Sequence, residues 1–395
     1  MYAWSVTQKI MVLWAVLCLF ALAGCAAGAS TSAARDADDA SDDDLGPNPG
    51  GDDDAASDDD ATDDDASDDD ASDDDTDANE YNVTEKADLG ALWDCQGIDQ
   101  QCTDDYLHFI DLAQKYAHPI SQQDLDAAIQ ADLNGEIQVL EGPYPEGQLR
   151  ASVAGILNIN FLINGIDQRA LTVTTIAKTE TDTYYERDLI FDDPYVGDFK
   201  AILLLPKGDG PFPAVVGVHG HASNAEDYRD NFHGNEYPAH GLAIIMPTLR
   251  AMGTGDPEDL VTRSLLLNGF TFQEIRVYET MLCLKYLKYL SIIDGKRLGL
   301  IGHSGGSIAS NSTYLLDEDV KAYVTDCSSV YVDIDPEGRY LDGTVPELYP
   351  YHDLIRYFED PTRPVITADY GYYNPFTGES DMPWIFDFFH EYLNP

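Results

Sequence analysis

From about residue 184 onward, short apolar runs alternate with segments of helical periodicity. Tyr184 to Phe191 and Phe199 to Pro206 read as a paired set of strands, and Ala214 to Val218 as a buried one. Glu226 to His240 follows with helical spacing, then Leu242 to Pro247 as a strand and Phe272 to Leu290 as a long amphipathic helix. Arg297 to Ile301 is a strand, Ser307 to Leu316 a small-residue helix, Val320 to Thr325 and Pro364 to Ala368 further strands, and Met382 to Leu393 a last helix. The central strands are apolar throughout rather than alternating. That pattern predicts a mostly parallel sheet covered by helices on both faces, an α/β fold with its chemistry at the carboxyl ends of the strands. Asp104 to His118 and Gln122 to Leu133 are also helical in pattern. They mark residues 81–168 as a helical preface to a domain at 169–395.

The first 80 residues lack such periodicity. Lys9, the apolar stretch Ile10 to Ala23 and the small-residue end Leu22-Ala23-Gly24-Cys25 read as a targeting segment, too short to span a bilayer comfortably. From Asp36 to Glu80 the chain is a polyaspartate tract with recurring Ala-Ser-Asp-Asp-Asp units. It carries nothing apolar enough to offset chain entropy, so residues 26–80 form a disordered linker. Like charges extend it, and the tract fully stretched reaches about 150 Å. It lacks the glycine turn and spaced ligands of a built calcium loop, so a solvated spacer is the better reading. The net charge of −50 argues against nucleic acid as a partner. Of six cysteines, Cys95 and Cys102 share a polar loop outside the cytoplasm, where a disulfide is expected. Cys283 and Cys327 sit in apolar surroundings and read as buried thiols.

The stretch with the most chemistry is Gly302-His303-Ser304-Gly305-Gly306, entered from the strand Arg297 to Ile301 and followed by a helix. Strand, G-x-S-x-G and helix together spell a nucleophile elbow, in which Ser304 Oγ stands clear of the sheet. The N–H of Gly305 then points at any carbonyl that Oγ attacks. Val216-Gly217-Val218-His219-Gly220-His221-Ala222 follows a strand that should neighbour the serine strand, so the His221 N–H is the natural second oxyanion donor. His219 and His221 are two residues apart with no third ligand near in sequence, a spacing that argues against a metal site.

These segments resemble the α/β-hydrolases, and within them the acetyl xylan esterase-like and dienelactone hydrolase-like branch. The resemblance runs through Phe199 to Pro206, Pro213 to His221, Arg250 to Gly255, Leu265 to Phe272, Asp294 to Gly306, Leu315 to Asp326 and Arg363 to Ile366. It implies an α/β-hydrolase fold and a Ser–His–Asp triad that cleaves carboxylic esters of small molecules or carbohydrates without a cofactor. Leu22 to Cys25 likewise resembles a bacterial lipobox. That implies lipid on Cys25, membrane contact through the anchor alone, and, with Ala26 next, the outer membrane of a Gram-negative bacterium.

The resemblance places an acid in a G-x-x-D turn after the Arg-Pro strand, where this chain has Gly371-Tyr372-Tyr373-Asn374. It places the histidine on a loop after one more strand, and here the sequence beyond Asn374 reads as a turn and a final helix, a shortened end. His390 is the one histidine downstream of that turn and stands as the base; His352, His303 and His221 remain open alternatives. His303 is expected to turn away from Ser304, since elbow neighbours point to opposite sides. Asp369, Glu379 and Asp381 are spare carboxylates. The loops Arg250 to Gly269 and Val330 to Asp353, rich in Tyr and Asp, would choose the substrate. The alternative function is a catalytically degenerate lipoprotein of this fold that binds a ligand or partner.

Overall fold

The computed structural model describes residues 108–134, 145–250, 252, 256–326 and 363–393. The targeting segment, Cys25, the acidic tract, Cys95, Cys102, Cys327, His352 and Asp353 lie outside the described residues. No single described helix is long and apolar enough to cross a membrane.

The described strands are β1 (Thr172–Glu180), β2 (Tyr184–Asp193), β3 (Gly197–Pro206), β4 (Phe212–Val218), β5 (Ala243–Pro247), β6 (Ile293–Gly302), β7 (Val320–Thr325) and β8 (Val365–Thr367). They form one sheet in the order β1-β2-β3-β5-β4-β6-β7-β8. The first three strands are antiparallel, and β3 also meets β5 antiparallel. From β5 to β8 every pairing is parallel. The crossing of β4 and β5 opens a switch point at the carboxyl ends of β4 and β6, where ligands bind in open α/β sheets.

Side chains of the central strands alternate between two apolar layers, which is why the sequence shows unbroken apolar runs. Leu203, Val216, Ile245, Leu300 and Tyr323 face a layer shared with α6 (Phe272–Tyr289) and α7 (Gly305–Leu316). Leu204, Val215, Ile244, Ile301 and Val324 face the other, against α4 (Ala225–Asn231) and α8 (Met382–Leu393). At Gly299 the α8 side chains Phe389 and Leu393 come so close that a Cβ would lie 2.8 Å from Phe389.

The preface is helical where described: a stretch at 108–113, α1 (Gln122–Leu133), α2 (Glu146–Ile156) and α3 (Asn160–Ile163). Phe109, Leu149, Val153 and Leu162 are buried in the same layer as α6 and α7. Phe109 meets Phe270 edge-on at 5.1 Å. Gly155 lies within α2 with nothing inside 4 Å of an added Cβ. Gly155→Ala is therefore expected to raise the unfolding free energy by about 0.5–1 kcal/mol, through lower entropy of the unfolded chain. Equilibrium urea denaturation measures it, and a loss of stability would contradict the open helical environment.

Three elements depart from the sequence expectation. Glu226 to His240 is not one helix: α4 ends at Asn231, His233 turns left-handed at φ 64°, and a 3-10 segment runs from Gly234 to His240. Pro238 has no N–H to offer a continuing α-helix. The segment taken as a substrate loop contains α5 (Asp256–Asn268). Strand β1 was not anticipated, since at the sheet margin it is mostly exposed and too polar to stand out as an apolar run.

Candidate active site

Ser304 lies between β6 and α7 with φ 50° and ψ −122°. A residue with a Cβ reaches this backbone region only when the surroundings force it, at a cost of about 1–3 kcal/mol. Here the forcing is close packing beneath the turn. A Cβ on Gly306 would sit 2.3 Å from the His219 carbonyl oxygen and 2.4 Å from that of Val218, so α7 enters against the end of β4 only with glycine there. Gly305 opens α7, and its N–H has no acceptor within the helix.

The structure brings Ser304, Gly305 and His221 together. Gly220 runs beside Ser304, since a Cβ on Gly220 would meet Ser304 Cβ at 2.8 Å. The His221 ring covers Gly305, whose Cβ would lie 2.3 Å from His221 Cε1. Ala222, left-handed at φ 55°, donates its N–H to the Met252 carbonyl at 2.7 Å, which fixes the end of this loop. The loop base is fixed too. Leu249 N–H donates to His219 Nε2 at 2.9 Å, so the proton is on Nδ1, which donates to the Gly220 carbonyl at 2.9 Å.

His219 is thus a structural imidazole, and burial drives its pKa down to about 4. Because the folded pKa lies below the unfolded one, the unfolded chain takes up the proton first as pH falls. Stability is then lost from about pH 6.5 down to about 4, with a slope approaching about 1.4 kcal/mol per pH unit. Urea midpoints at pH 7 and pH 5 test this: wild type should lose more than His219→Gln. Equal losses would remove His219 as the cause.

A residue given no role by sequence reasoning, Asp326, joins the site from just beyond β7. It is buried, and its carboxylate takes four donors. Ser304 N–H donates to Oδ1 at 2.7 Å and Ser307 Oγ–H at 3.1 Å. Gly371 N–H donates to Oδ2 at 2.9 Å, and His303 Nδ1–H also donates to Oδ2. Charge-assisted bonds of this kind are roughly twice as strong as neutral ones. The available signal was its place: an Asp at the carboxyl end of the strand next to the serine strand. His303 turns from Ser304 toward the α4 side, packed by Phe232 at 4.3 Å, Tyr370 at 5.1 Å and Tyr372 at 5.9 Å. Behind it the Tyr228 and Tyr372 hydroxyls pair at 3.0 Å, both raised in pKa by burial.

The structure does not bring His390 to Ser304, and its expected role as base is corrected. His390 is on α8, 6.2 Å from the ring of His240, which closes the 3-10 segment leading into β5. That is the amino end of the parallel strands, opposite the elbow. The helix puts it there because Phe389 and Leu393 must pack on Gly299, well before the end of β6. Asn374, standing where the resemblance puts the acid, shapes a turn instead: its Oδ1 accepts the N–H groups of Phe376 and Thr377, each at 3.0 Å. Asp381 Oδ2 accepts the Asp369 N–H at 2.8 Å. The Asp369 carboxyl is raised in pKa by partial burial and by Asp381.

The described strands in this order, a strained serine between β6 and α7 and a glycine-rich turn after β4 define an α/β-hydrolase fold with a tight strand–turn–helix elbow at Ser304. No family model matches the chain. It is similar to YtaP of Bacillus subtilis, described as a hydrolase, with 25% identity over 178 residues, 42% of this chain and 60% of YtaP. It is also similar to the esterase FrsA of Citrobacter koseri, with 29% identity over 164 residues, 41% of this chain and 36% of FrsA. The chain thus spans less than two thirds of the length of either relative. Among solved structures it is similar to a Bacteroides fragilis protein described as an acetyl xylan esterase, with TM-score 0.48 and 15% identity, over 72% of this chain and 79% of that one. Acetyl xylan esterase 1 from Thermoanaerobacterium gives a TM-score of 0.35 at 17% identity, over 54% of this chain and 66% of that one.

Proposed function

We propose that the chain is an exported serine esterase that hydrolyses short acyl esters of small molecules or carbohydrates, tethered to the outer membrane by lipid on Cys25. The observation that carries the chemistry is the backbone of Ser304, φ 50° and ψ −122°, at the mouth of a helix whose first N–H is unclaimed within the helix. A serine held so has its Oγ lifted from the sheet and its neighbour's N–H aimed at the same point. Oγ attacks the ester carbonyl, the negative charge gathers on oxygen, and the N–H groups of Gly305 and His221 receive it. Two donors of this kind lower the barrier by several kcal/mol. A histidine takes the serine proton and returns it to the leaving alcohol. The hydrolase and esterase relatives, YtaP and FrsA, support the reaction class.

The test is reaction of the full-length chain with a fluorophosphonate, followed by mapping of the modified residue. Modification of Ser304 is expected. A folded chain left unmodified would end the proposal. A second reading, a ligand-binding protein with the same cleft, is favoured by one observation: the hydrogen bonds at Ser304 are made by its backbone, and no described residue accepts one from its Oγ. That protein would resist the fluorophosphonate and bind its ligand equally well as Ser304→Ala.

A further inference from the structure

We infer that Tyr323 is a positioning residue for the nucleophile, holding the elbow helix α7 at the depth and rotation that its first N–H requires; this rests on the serine-esterase reading above. Helix α7 lacks large side chains where it leaves the elbow. Apart from Ile308, the residues from Gly305 to Thr313 are Gly, Ser, Ala, Asn or Thr, and all of them are buried. Small side chains make shallow ridges, so packing alone resists sliding and turning of such a helix poorly. The layer it enters is mostly apolar, with Leu203, Val216, Ile245 and Leu300 on the sheet side.

Polar groups supply what packing does not. Ser307, Asn311 and Tyr314 are spaced i, i+4, i+7, so they share one flank of α7. Each meets a partner from outside the helix. Ser307 Oγ–H donates to Asp326 Oδ1 at 3.1 Å. The hydroxyl of Tyr323, reaching over from β7, donates to Asn311 Oδ1 at 2.8 Å and, more weakly, to the Ser307 carbonyl at 3.2 Å. The rings of Tyr323 and Tyr314 stack at 5.2 Å. Tyr314 O–H donates to the Arg363 carbonyl, and the Arg363 guanidinium lies over the Tyr314 ring at 4.4 Å. Ser307, Asn311, Tyr314 and Tyr323 are all fully buried.

The far end of α7 is anchored separately. Arg363, just ahead of β8, donates through Nη2 to the carbonyls of Tyr314 and Asp317, and through Nε to that of Val320 at 3.0 Å. Arg150 of α2 donates to the Leu315 carbonyl at 2.9 Å, and Glu146 accepts from both guanidiniums. Arginines thus pin the exit of the helix and Asp326 its entry. Between them, the Tyr323 hydroxyl sets the first two turns, and Gly305 opens the first of these.

A satisfied buried hydrogen bond adds little net stability, yet it selects one geometry among several of similar packing. Gly305 N–H has to meet the developing oxyanion at hydrogen-bond distance, and a displacement of about 1 Å in such a group costs about a hundredfold in rate. Loss of the Tyr323 bond should therefore be felt in turnover more than in stability.

Steady-state hydrolysis of 4-nitrophenyl acetate by the full-length chain tests this. Fluorophosphonate titration counts the competent sites, so that kcat refers to folded chains. Tyr323→Phe keeps the ring and its stack on Tyr314 and removes only the hydroxyl. It should lower kcat by about tenfold with KM within about twofold of wild type, because a displaced oxyanion donor weakens the transition state and not the bound ester. Asn311→Ala deletes the shorter bond from the helix side and should act alike. The double variant should be no slower than the slower single one, since one bond is lost only once. A role confined to the fold would show as a lower urea midpoint with kcat per site unchanged.

A folded Tyr323→Phe with wild-type kcat would overturn the inference. So would single effects that add in the double variant, or a loss carried by KM alone. If Tyr323→Phe does not fold, wild-type kcat in Asn311→Ala overturns the inference by itself. A wild-type chain that neither hydrolyses the ester nor reacts with the fluorophosphonate takes down the serine-esterase reading, which is a different result.

Discussion

Ser304→Ala is expected to cut the hydrolysis of short acyl esters by a factor on the order of 10⁶, the scale on which serine hydrolases lose turnover without their nucleophile. Initial rates with 4-nitrophenyl acetate measure it, and appreciable retained turnover would refute the assignment. The same position offers an independent thermodynamic check. At φ 50° and ψ −122° the serine Cβ opposes its own backbone, whereas glycine has none to oppose. Ser304→Gly should therefore be more stable than Ser304→Ala by about 1–3 kcal/mol, although glycine loosens the unfolded chain. An inactive variant more stable than its alanine counterpart is the mark of an elbow held by its surroundings. The reverse order would mean that the serine backbone is not under strain.

Gly306→Ala is the stability prediction with the largest effect. The added methyl would sit 2.3 Å and 2.4 Å from two carbonyl oxygens of the chain after β4, and these are backbone atoms that cannot swing aside as a side chain would. Either α7 or the β4 turn must shift. Such overpacking costs about 1–3 kcal/mol and occasionally more. Denaturant midpoints report the loss. The shift would also displace Gly305 N–H from His221, so fluorophosphonate modification should slow in the fraction that remains folded. Wild-type stability in Gly306→Ala would mean that α7 does not enter as described.

The central sheet was legible because its strands are buried on both faces. Ala214 to Val218 and Leu298 to Ile301 are apolar without interruption, Val320 to Val324 is broken only by Lys321, and few other structures produce such runs. That Ser304, Gly305 and His221 come together was legible because tight turns at strand ends demand glycine. The order G-x-S-x-G between strand and helix leaves the backbone little choice. Strand β1 was hidden by exposure, since Thr172 to Glu180 alternates weakly and buries almost nothing. The break at His233 was signalled only by Gly234 and Pro238, which the helical spacing of the rest of Glu226 to His240 outweighed.

The pairing of Asp326 with His303 was missed for another reason. One closes a strand and the other opens the elbow, and only the lateral pairing of β6 with β7 brings them together across 23 positions. A local pattern cannot show which of several carboxylates faces a histidine. His390 was the opposite error, a residue of the right type in the right order whose helix is oriented by Phe389 and Leu393 rather than by chemistry.

The four donors on Asp326 come from residues 303, 304, 307 and 371. The carboxylate itself has to wait for β7 to dock against β6, and the last donor for the segment after β8. Contacts of such long sequence separation form late, after the loop entropy between them has been spent. The nucleophile therefore has no functional geometry in a nascent or half-threaded chain. It gains one only when the sheet has closed around it. On the proposal that this chain is an exported serine esterase, that is a timer: its chemistry stays silent until the sheet has closed. Fluorophosphonate capture of Ser304 would then report completed folding as faithfully as any spectroscopic signal.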